Sequence, residues 1–471
     1  MPTTSLMRLF FSGASMALAA SACGQNWSNA GGNPGRNGAT AEFGPDSASE
    51  LWSGGRNSII AWQPVIEGSR VFMVRQTGFP PESNRSPVVA MDLNTGAELW
   101  ATNIPANAGD WTTWVAGARD GRVYAARSGN GASVSARLYC LNAATGAVLW
   151  QSAELINAGA YDGVVFAEDG DLIIASMSWV RRINATDGTT VWTTPRVCSV
   201  SGNCGGALAP DSTGQAVYLA DVAPGGHVIK KFDAETGAFL YQSTVMAGFT
   251  IQNTPLVGPD GTIYLNRVQN NAAVDFFYAF ADTGSAIVER WRVASRYTYA
   301  AEFAATQDAV FVPFPDNSIR KLRASDGFEL ESTGVLATPL GAVRMAYDAE
   351  GKLYVSNGEF AQGRFYCFGP DLRERWSVAV PNINIGAPAI GRDGTLVVAG
   401  ISTNVKAYRT ERRCIADFNN DGFVDFFDYD AFVACFEGFG CPAGRTADVN
   451  GDDFVDFFDY DGFVEAFQAG C

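Results

Sequence analysis

Residues 88–100 read VVAMDLNTGAELW, and the fold class follows from this stretch. An apolar strand leads into a turn that ends in Gly96, and a second strand ends in Trp100. Glycine adopts the positive φ that such a turn requires, and alternating apolar residues are typical of a half-buried strand. The unit recurs at 136–150, 180–192 and 229–241, with weaker copies at 277–291, 319–332 and 365–376.

A second kind of hairpin precedes each of these units and consists of two apolar strands around a Gly or Asp turn. Eight copies occur, at 64–74, 114–126, 162–176, 206–221, 253–266, 301–314, 345–357 and 386–400. Two hairpins per repeat make a four-stranded sheet of about 45 residues, which is the size of a propeller blade. The pattern predicts an all-β domain, an eight-bladed β-propeller of four-stranded antiparallel blades.

The eighth repeat is cut short at 405–409 (VKAYR), so it lacks its last strand. Near the N-terminus, residues 49–52 (SELW) match the missing strand, which ends in an aromatic residue. We therefore expect the N-terminal strand to complete the last blade and close the ring, because closure leaves no open sheet edge.

The D-x-x-T-G-x-x-x-W pattern that ends at Trp100 resembles the repeat of propellers of the pyrroloquinoline quinone (PQQ) type, and Trp150, Trp192 and Trp291 follow it. The opening stretch NWSNAGGNPGRNG (26–38) also resembles theirs. This quinoprotein-like resemblance covers roughly residues 26–410. It implies the fold, in a family that holds both quinone-dependent dehydrogenases and scaffolds that bind proteins without a cofactor.

No catalytic or cofactor-binding residue of the propeller is assigned. The large quinoprotein dehydrogenases carry a vicinal Cys–Cys disulfide, and this chain has no adjacent cysteines. The repeat tryptophans are interpreted as blade packing, and Asp92 and Asp233 as caps of their own turns. The single histidine, His227, is interpreted as a surface residue without a role, so most His-dependent chemistry is excluded. PQQ is therefore not expected.

The acidic charge is concentrated near the C-terminus. Residues 414–471 contain 11 aspartates and 2 glutamates against 1 arginine, and so carry −12 of the formal net charge of −16. Within them, DFNNDGFVDFFD (417–428) and DVNGDDFVDFFD (448–459) place oxygen side chains at positions 1, 3, 5, 9 and 12. With a backbone carbonyl at position 7, this is the EF-hand arrangement, in which the oxygens converge on calcium.

Two calcium ions are therefore the predicted cofactors. The predicted ligands of the first loop are Asp417, Asn419, Asp421, Phe423 (through its carbonyl), Asp425 and Asp428. Those of the second loop are Asp448, Asn450, Asp452, Phe454 (through its carbonyl), Asp456 and Asp459. Position 6 of the second loop is Asp453 instead of glycine, so the full function of that loop is left open.

Each loop precedes a predicted short helix, because apolar residues recur there at positions i, i+3, i+4 and i+7. These residues are Tyr429, Phe432, Val433 and Phe436, and then Tyr460, Phe463, Val464 and Phe467. Paired loops of this form, each followed by a helix, resemble type I dockerins. The resemblance implies a protein partner, either a cohesin-like domain or another envelope protein.

Two alternatives stay open for the phenylalanine pairs at loop positions 10 and 11. Phe426, Phe427, Phe457 and Phe458 either bury against the helices of the module or form an exposed partner-binding surface.

The cysteines fit an exported protein, in which disulfides persist. We expect Cys198 to pair with Cys204 around a short Ser/Gly loop. The four C-terminal cysteines permit three connectivities. Among these we favour Cys414–Cys471 and Cys435–Cys441, because a small domain needs such staples. Cys140 and Cys367 lie in apolar strands and are interpreted as buried free thiols.

The first 22 residues are predicted to be a signal peptide. Arg8 precedes an apolar run, and Ala20-Ser21-Ala22 forms a cleavage site before Cys23. Cys23 is a candidate for lipidation, and plain secretory cleavage is the alternative. The apolar run is too short for a permanent membrane span. We therefore expect an exported protein that is extracellular, at the cell surface or in the periplasm, with or without a lipid anchor.

These features predict a signal peptide (1–22), an N-terminal segment (23–48), a propeller (49–410) and a dockerin-like calcium-binding module (411–471). The predicted function is that of a monomeric, non-catalytic scaffold that docks to an envelope or extracellular protein through the calcium-dependent module. Its negative charge argues against nucleic acid. The alternative is an enzyme, either a PQQ-dependent oxidoreductase or polysaccharide-degrading dockerin cargo. The identity of the partner and the ligand of the propeller face are left open.

Overall fold

The computed structural model describes residues 26–58, 63–75, 86–106, 110, 112–128, 135–159, 163–198, 204–211, 214–248, 251–268, 275–383, 386–400, 403–410, 415–419, 421, 423–442, 445–449 and 454–469. The chain divides into two compact units, residues 1–409 and 410–471. Each unit has a hydrophobic core of its own.

The first unit is the predicted eight-bladed β-propeller, which the described residues show as eight antiparallel sheets. Strands are numbered along the chain, and β1 (Glu50–Ser58) belongs to the last blade. Blades 1 and 2 contain β2 (Val65–Glu67), β3 (Arg70–Val74), β4 (Val88–Asp92), β5 (Glu98–Thr102), β6 (Thr112–Arg119), β7 (Arg122–Ser128), β8 (Tyr139–Asn142) and β9 (Val148–Gln151). Blades 3 and 4 contain β10 (Val164–Phe166), β11 (Leu172–Ala175), β12 (Trp179–Ile183), β13 (Thr190–Pro195), β14 (Ala207–Asp211), β15 (Gly214–Ala223), β16 (Gly226–Asp233), β17 (Phe239–Gln242) and the added β18 (Met246–Ala247).

The remaining blades repeat the arrangement. Blades 5 and 6 contain β19 (Leu256–Val257), β20 (Ile263–Arg267), β21 (Asp275–Asp282), β22 (Ile287–Ser295), β23 (Ala309–Pro313), β24 (Ile319–Arg323) and β25 (Glu329–Ser332). Blades 7 and 8 contain β26 (Arg344–Tyr347), β27 (Leu353–Ser356), β28 (Arg364–Phe368), β29 (Glu374–Ala379), β30 (Pro388–Ile390), β31 (Leu396–Val398) and β32 (Thr403–Tyr408). Blade 6, whose residues are all described, has three strands. Its innermost strand is reduced to a single β-bridge between Ala305 and Val310.

Ring closure is confirmed. Strand β1 pairs antiparallel with β32, with Trp52 opposite Ala407, and so supplies the outer strand that blade 8 lacks in sequence order. The hydrogen bonds of blade 8 thus join residues from the two ends of the propeller sequence and close the ring.

The tryptophan that ends an outer strand fastens its blade to the next one. Trp100 Nε1 donates a 3.0 Å hydrogen bond to the carbonyl of Ala143 in the following blade. A Cβ atom on Gly146 of that blade would lie only 2.6 Å from the Trp100 ring, and its φ is +72°. The Trp of one T-G-x-x-x-W pattern thus contacts the Gly of the next copy, in the following blade. The same bond recurs at Trp52, Trp150, Trp192 and Trp291.

The segment 26–45 follows a path that the sequence did not reveal. Its backbone and side chains bond to seven successive blades along their inner strands. The first bonds are Ile66 N–H to the Trp27 carbonyl (2.8 Å), Ala118 N–H to Ser28 (2.8 Å) and Asn29 Nδ2 to Val164 (3.0 Å). They continue from Leu208 to Pro34 (2.9 Å), Val257 to Gly35 (2.8 Å), Ala305 to Asn37 (2.7 Å) and Tyr347 to Gly38 (2.8 Å). The segment therefore circles the ring axis in step with the blades.

The second unit is helical in its described part, with α1 (Phe426–Phe436) and α2 (Phe457–Ala469). The rings of Phe432 and Phe463 stack in its core at 3.9 Å between centroids. The two predicted apolar faces pack against each other, which confirms the pseudo-symmetric pair of helices. None of the described helices in either unit is long and apolar enough to cross a membrane.

Candidate docking surface

The acidic residues that end the first loop hold the start of α1. Asp425 caps the helix by accepting a 2.9 Å hydrogen bond from Phe427 N–H, and Asp428 completes a capping box. The Asp428 side chain is fully buried and accepts N–H groups of Asn419 and Asp425, each at 2.9 Å. Loop positions 9 and 12 therefore position the loop and the helix together.

The second loop repeats this arrangement at the start of α2. Asp456 accepts a 2.9 Å hydrogen bond from Phe458 N–H. The buried Asp459 accepts the N–H groups of Val449 and Asp456, each at 2.8 Å. Of the predicted calcium ligands, Asn450 and Asp452 lie outside the described residues, as does Asp453.

Positions 1, 3 and 5 of the first loop provide a test of the donor set. The Asp421 N–H donates to Asp417 Oδ1 (3.0 Å) and to Asn419 Oδ1 (2.8 Å), so the side chains of positions 1 and 3 accept the same backbone N–H. Their carboxylate and amide oxygens are hard donors, the type that calcium takes. In the part of the chain that the structure describes, no three His, Cys, Asp or Glu side chains form a group that could hold a metal ion.

The phenylalanine pairs are exposed, and the alternative of burial against the helices of the module is wrong for them. The exposed fractions of Phe426, Phe427, Phe457 and Phe458 are 68%, 70%, 66% and 70%. Contiguous exposed apolar patches are uncommon unless they serve binding, and the two rings of each pair are neighbours in the sequence. The helices cannot cover these rings, because the core between α1 and α2 is filled by other side chains of the same repeats.

The structure adds side chains that the sequence argument missed. Phe423 and Phe454, which were assigned only carbonyl ligands, expose 71% and 70% of their side chains. Each FVDFFD motif (423–428 and 454–459) therefore presents three exposed phenylalanines. The exact repetition of FVDFFD in the sequence was a signal for these two residues. Periodicity could not show their exposure, because loop residues follow neither the strand period nor the helix period. Phe439, in the loop that connects α1 to α2, is 83% exposed.

Disulfides join Cys198 to Cys204 and Cys435 to Cys441, two pairs that were expected. Cys414 and Cys471 lie outside the described residues, so their pairing stays a prediction. Cys140 and Cys367 are buried free thiols, as predicted. Burial raises the pKa of each thiol to about 12, which keeps both protonated and unreactive.

His227 is not on the surface, so that interpretation was wrong. It lies in β16 with no exposed side-chain area, where burial and then the nearby Arg267 lower its pKa to about 3. The Gly225–Gly226 pair beside it forms a tight hairpin instead of a surface loop, and the hairpin turns the imidazole into the blade. The neighbouring Asp221 is also fully buried and forms a 2.7 Å ion pair with Arg196.

Three cavities among the described residues of the propeller offer little to an anionic quinone. The cavity between segment 26–45 and blades 5 and 6, beside Arg36 and Glu302, has a volume of about 20 Å³. Ligand pockets are usually at least ~300 Å³. A cavity of about 480 Å³ between blades 4 and 5 is lined without any lysine or arginine. Another, of about 270 Å³, is lined by carboxylates around Arg182, which is already paired with three of the surrounding acids. These residues do not fit the cofactor.

Comparisons with known proteins agree with the fold. The family model described as "Outer membrane protein assembly factor BamB" matches residues 84–330, more than half of the chain. The structure of BamB from Moraxella catarrhalis is 15% identical, with 71% of this chain and 94% of that chain covered and a TM-score of 0.46. No curated protein matches the chain.

Two further solved structures are similar at still lower identity. Quinohemoprotein alcohol dehydrogenase from Comamonas testosteroni is 12% identical, with 70% of this chain and 76% of that chain covered and a TM-score of 0.47. The Dos1 propeller is 8% identical, with 77% and 94% covered and a TM-score of 0.54. At these identities the likeness to Dos1 concerns the fold alone.

Proposed function

The chain belongs to the family of the outer membrane protein assembly factor BamB, and from this premise we propose that it is an exported, non-catalytic binding scaffold. The propeller is the rigid body of the scaffold. The C-terminal module attaches it to a protein partner in the envelope or outside the cell, and calcium controls that attachment. The family description names an assembly factor, which is a role in protein interaction and supports a scaffold over an enzyme.

One observation carries the proposal, namely the duplicated aromatic surface of the module. Each FVDFFD motif holds its last aspartate fully buried and presents three phenylalanines with exposures between 66% and 71%. The backbone around each motif is fixed by the capping bonds of Asp428 and Asp459. Rigidly held, exposed aromatic side chains are typical anchors of protein interfaces, because they bury a large area at a small entropic cost.

Calcium provides the control. The carboxylates of each loop repel one another unless a cation binds among them, and the module is too small to offset that repulsion with its core alone. Binding energy of the ion therefore contributes directly to folding of the module. Since the loops and the helix starts share Asp425 and Asp456, folding with calcium would also position the phenylalanines.

Export and anchoring form part of the proposal. The signal peptide (1–22) and Cys23 lie outside the described residues. Mass spectrometry of the mature protein distinguishes an acylated Cys23 from plain cleavage. Either outcome is compatible with a partner in the envelope or outside it.

The test is a pull-down from native envelope and medium with the full mature chain as bait, in calcium and again in chelator. We expect one protein to be retained only in calcium and to be lost when Phe426, Phe427, Phe457 and Phe458 are all replaced by serine. A variant with Leu99→Ser and Leu149→Ser, two exposed apolar residues of the propeller rim, is the matched control. A protein that is retained equally in calcium and in chelator, and equally by the parent and the fourfold variant, contradicts the proposal.

A further inference from the structure

The two FVDFFD motifs lie at opposite ends of the helical pair, because α1 and α2 run antiparallel. Tyr429 near the start of α1 contacts Phe467 near the end of α2, with 6.1 Å between ring centroids. Phe436 at the end of α1 contacts Tyr460 near the start of α2 at 5.9 Å. The start of α2, with its motif, therefore shares one end of the module with the end of α1. We name this the second end, and the start of α1 the first end.

The second end carries an extra feature, a short loop closed by the Cys435–Cys441 disulfide. Its backbone is held by hydrogen bonds from Glu437 N–H to Val433 (2.9 Å) and from Phe439 N–H to Ala434 (2.8 Å). Gly438 has a φ of +81°, which allows the chain to reverse there. At the tip, Phe439 is 83% exposed, more than any other large apolar residue among those described.

The disulfide loop removes the equivalence of the two ends. The first end presents Phe423, Phe426 and Phe427, and in the described part of the module no other exposed aromatic residue lies there. The second end presents Phe454, Phe457 and Phe458 together with Phe439 on a constrained loop. A side chain whose backbone is already ordered loses little entropy on binding, so it contributes more of its contact energy to affinity.

We infer that the module binds its partner through the second end, with Phe439 as a specificity-determining anchor beside Phe457 and Phe458. This inference rests on the proposed docking function and assigns one of its two duplicated surfaces. The first end is then a copy that supports calcium binding and the fold but contributes little to affinity.

The chemistry of the second end also identifies the class of partner. Asp456, Asp461 and Glu437 are exposed among the phenylalanines, and residues 414–471 carry a net charge of −12. The occupant is therefore a protein surface with apolar pockets bordered by lysine or arginine. A second copy of this chain would bring the same negative charge, and an anionic membrane would repel it.

The experiment uses the full mature chain in calcium and a displayed library of random 12-residue peptides as the probe. We expect the selected peptides to combine aromatic or aliphatic residues with lysine or arginine. The dissociation constant of a selected peptide should rise at least tenfold for Phe439→Ser and for Phe458→Ser. It should rise less than threefold for Phe427→Ser, which is the matched change at the first end.

Folding controls keep the test decisive. Circular dichroism and the melting temperature of each phenylalanine variant should match those of the parent. A Cys435→Ser/Cys441→Ser variant, which keeps Phe439 but releases its loop, should bind several-fold more weakly because the preorganisation is lost. Equal losses for Phe427→Ser and Phe458→Ser, or no loss for Phe439→Ser, overturn the inference. Peptides without cationic residues, or no calcium-dependent peptide at all, overturn it as well.

Other occupants give distinct results. A dimer in calcium that Phe458→Ser dissociates would make a second copy the occupant. Sedimentation with phosphatidylcholine vesicles that Phe458→Ser abolishes would make it a lipid surface. Either result overturns the inference. A natural partner that depends on calcium and on Phe427 but not on Phe439 leaves the docking function intact and removes only the choice of end. If the peptides bind as expected but no natural partner is retained, the choice of the second end stands and the proposed docking function is lost.

Discussion

The hydroxyl of Tyr241 donates a 2.6 Å hydrogen bond to the carboxylate of Asp282 in the neighbouring blade. Tyr241 occupies the outer-strand position where five other blades carry the tryptophan that bonds to the following turn. Asp282 also accepts from Tyr218 (2.7 Å) and pairs with Lys231 (2.7 Å). A polar cluster thus replaces the indole bond between blades 4 and 5.

Replacing Tyr241 by phenylalanine tests this interblade bond. The change removes the bond to Asp282 and the 2.9 Å bond that Lys231 Nζ donates to the hydroxyl, and it leaves the ring in place. We therefore expect the free energy of unfolding to fall by about 2–3 kcal/mol. Denaturant unfolding measures it. Tyr139→Phe in blade 2, where the structure shows no hydroxyl bond, is the control and should change stability little. Equal effects would show that Tyr241 contributes only as a ring.

The same cluster predicts a dependence on pH. Burial raises the pKa of Asp282, but bonds from Lys231, Tyr218 and Tyr241 outweigh it and hold the pKa at about 2. The folded pKa lies below the unfolded value of about 3.9. The stabilisation is therefore present above pH 4 and lost as the pH falls towards 2. We expect the stability difference between the parent and Asp282→Asn to shrink over that window. A constant difference would contradict the cluster.

The repeat glycines offer a matched pair of substitutions. A Cβ on Gly188 (φ +76°) would lie 2.5 Å from the Trp150 ring, whereas one on Gly121 (φ +73°) meets nothing within 4 Å. Gly121→Ala should therefore cost only the positive φ, about 1 kcal/mol. Gly188→Ala adds overpacking and should cost about 3 kcal/mol in total. Thermal or denaturant unfolding of both variants checks the difference, and equal losses would exclude a packing role for the glycine.

The segment around the axis makes a prediction at Asn37. Its side-chain amide donates a 2.9 Å hydrogen bond to the Val257 carbonyl in a buried position. Asn37→Ala leaves that carbonyl with one fewer buried donor, so we expect a loss of about 2 kcal/mol in unfolding free energy. Asn103→Ala, in an exposed loop, should change stability by no more than about 0.5 kcal/mol. A neutral Asn37→Ala would mean that the segment follows the ring without stabilising it.

Removal of calcium should affect one unit only. We expect chelator to reduce helical circular dichroism and to expose residues 410–471 to protease, while the main melting transition of the propeller stays unchanged. Asp417→Asn with Asp421→Asn should reproduce the effect of chelator, because both residues are predicted ligands. Asp430→Asn, an exposed helix residue outside the predicted ligand set, is the control. Melting of both units together in chelator would contradict the proposal.

Short-range patterns were sufficient for much of this molecule. In most repeats the turn glycine and the aromatic residue of the outer strand are separated by only a few residues. Their spacing reflects one local hairpin, so the blades could be counted from the chain. The N-terminal SELW stretch could be placed in blade 8 because a single strand was missing there. The helices of the C-terminal unit followed from the period of their apolar residues, which depends only on helix geometry.

Other features depended on packing between distant residues. The path of segment 26–45 around the axis is set by hydrogen bonds to inner strands up to about 300 residues away, as with Gly38 and Tyr347, and no local period encodes such bonds. His227 was misplaced because the burial of a hairpin residue depends on the blades beside it. The exposure of the paired phenylalanines could not be read from composition, since the same residues would suit a core. Tertiary packing fills the core with Phe432 and Phe463 and leaves the phenylalanine pairs outside it.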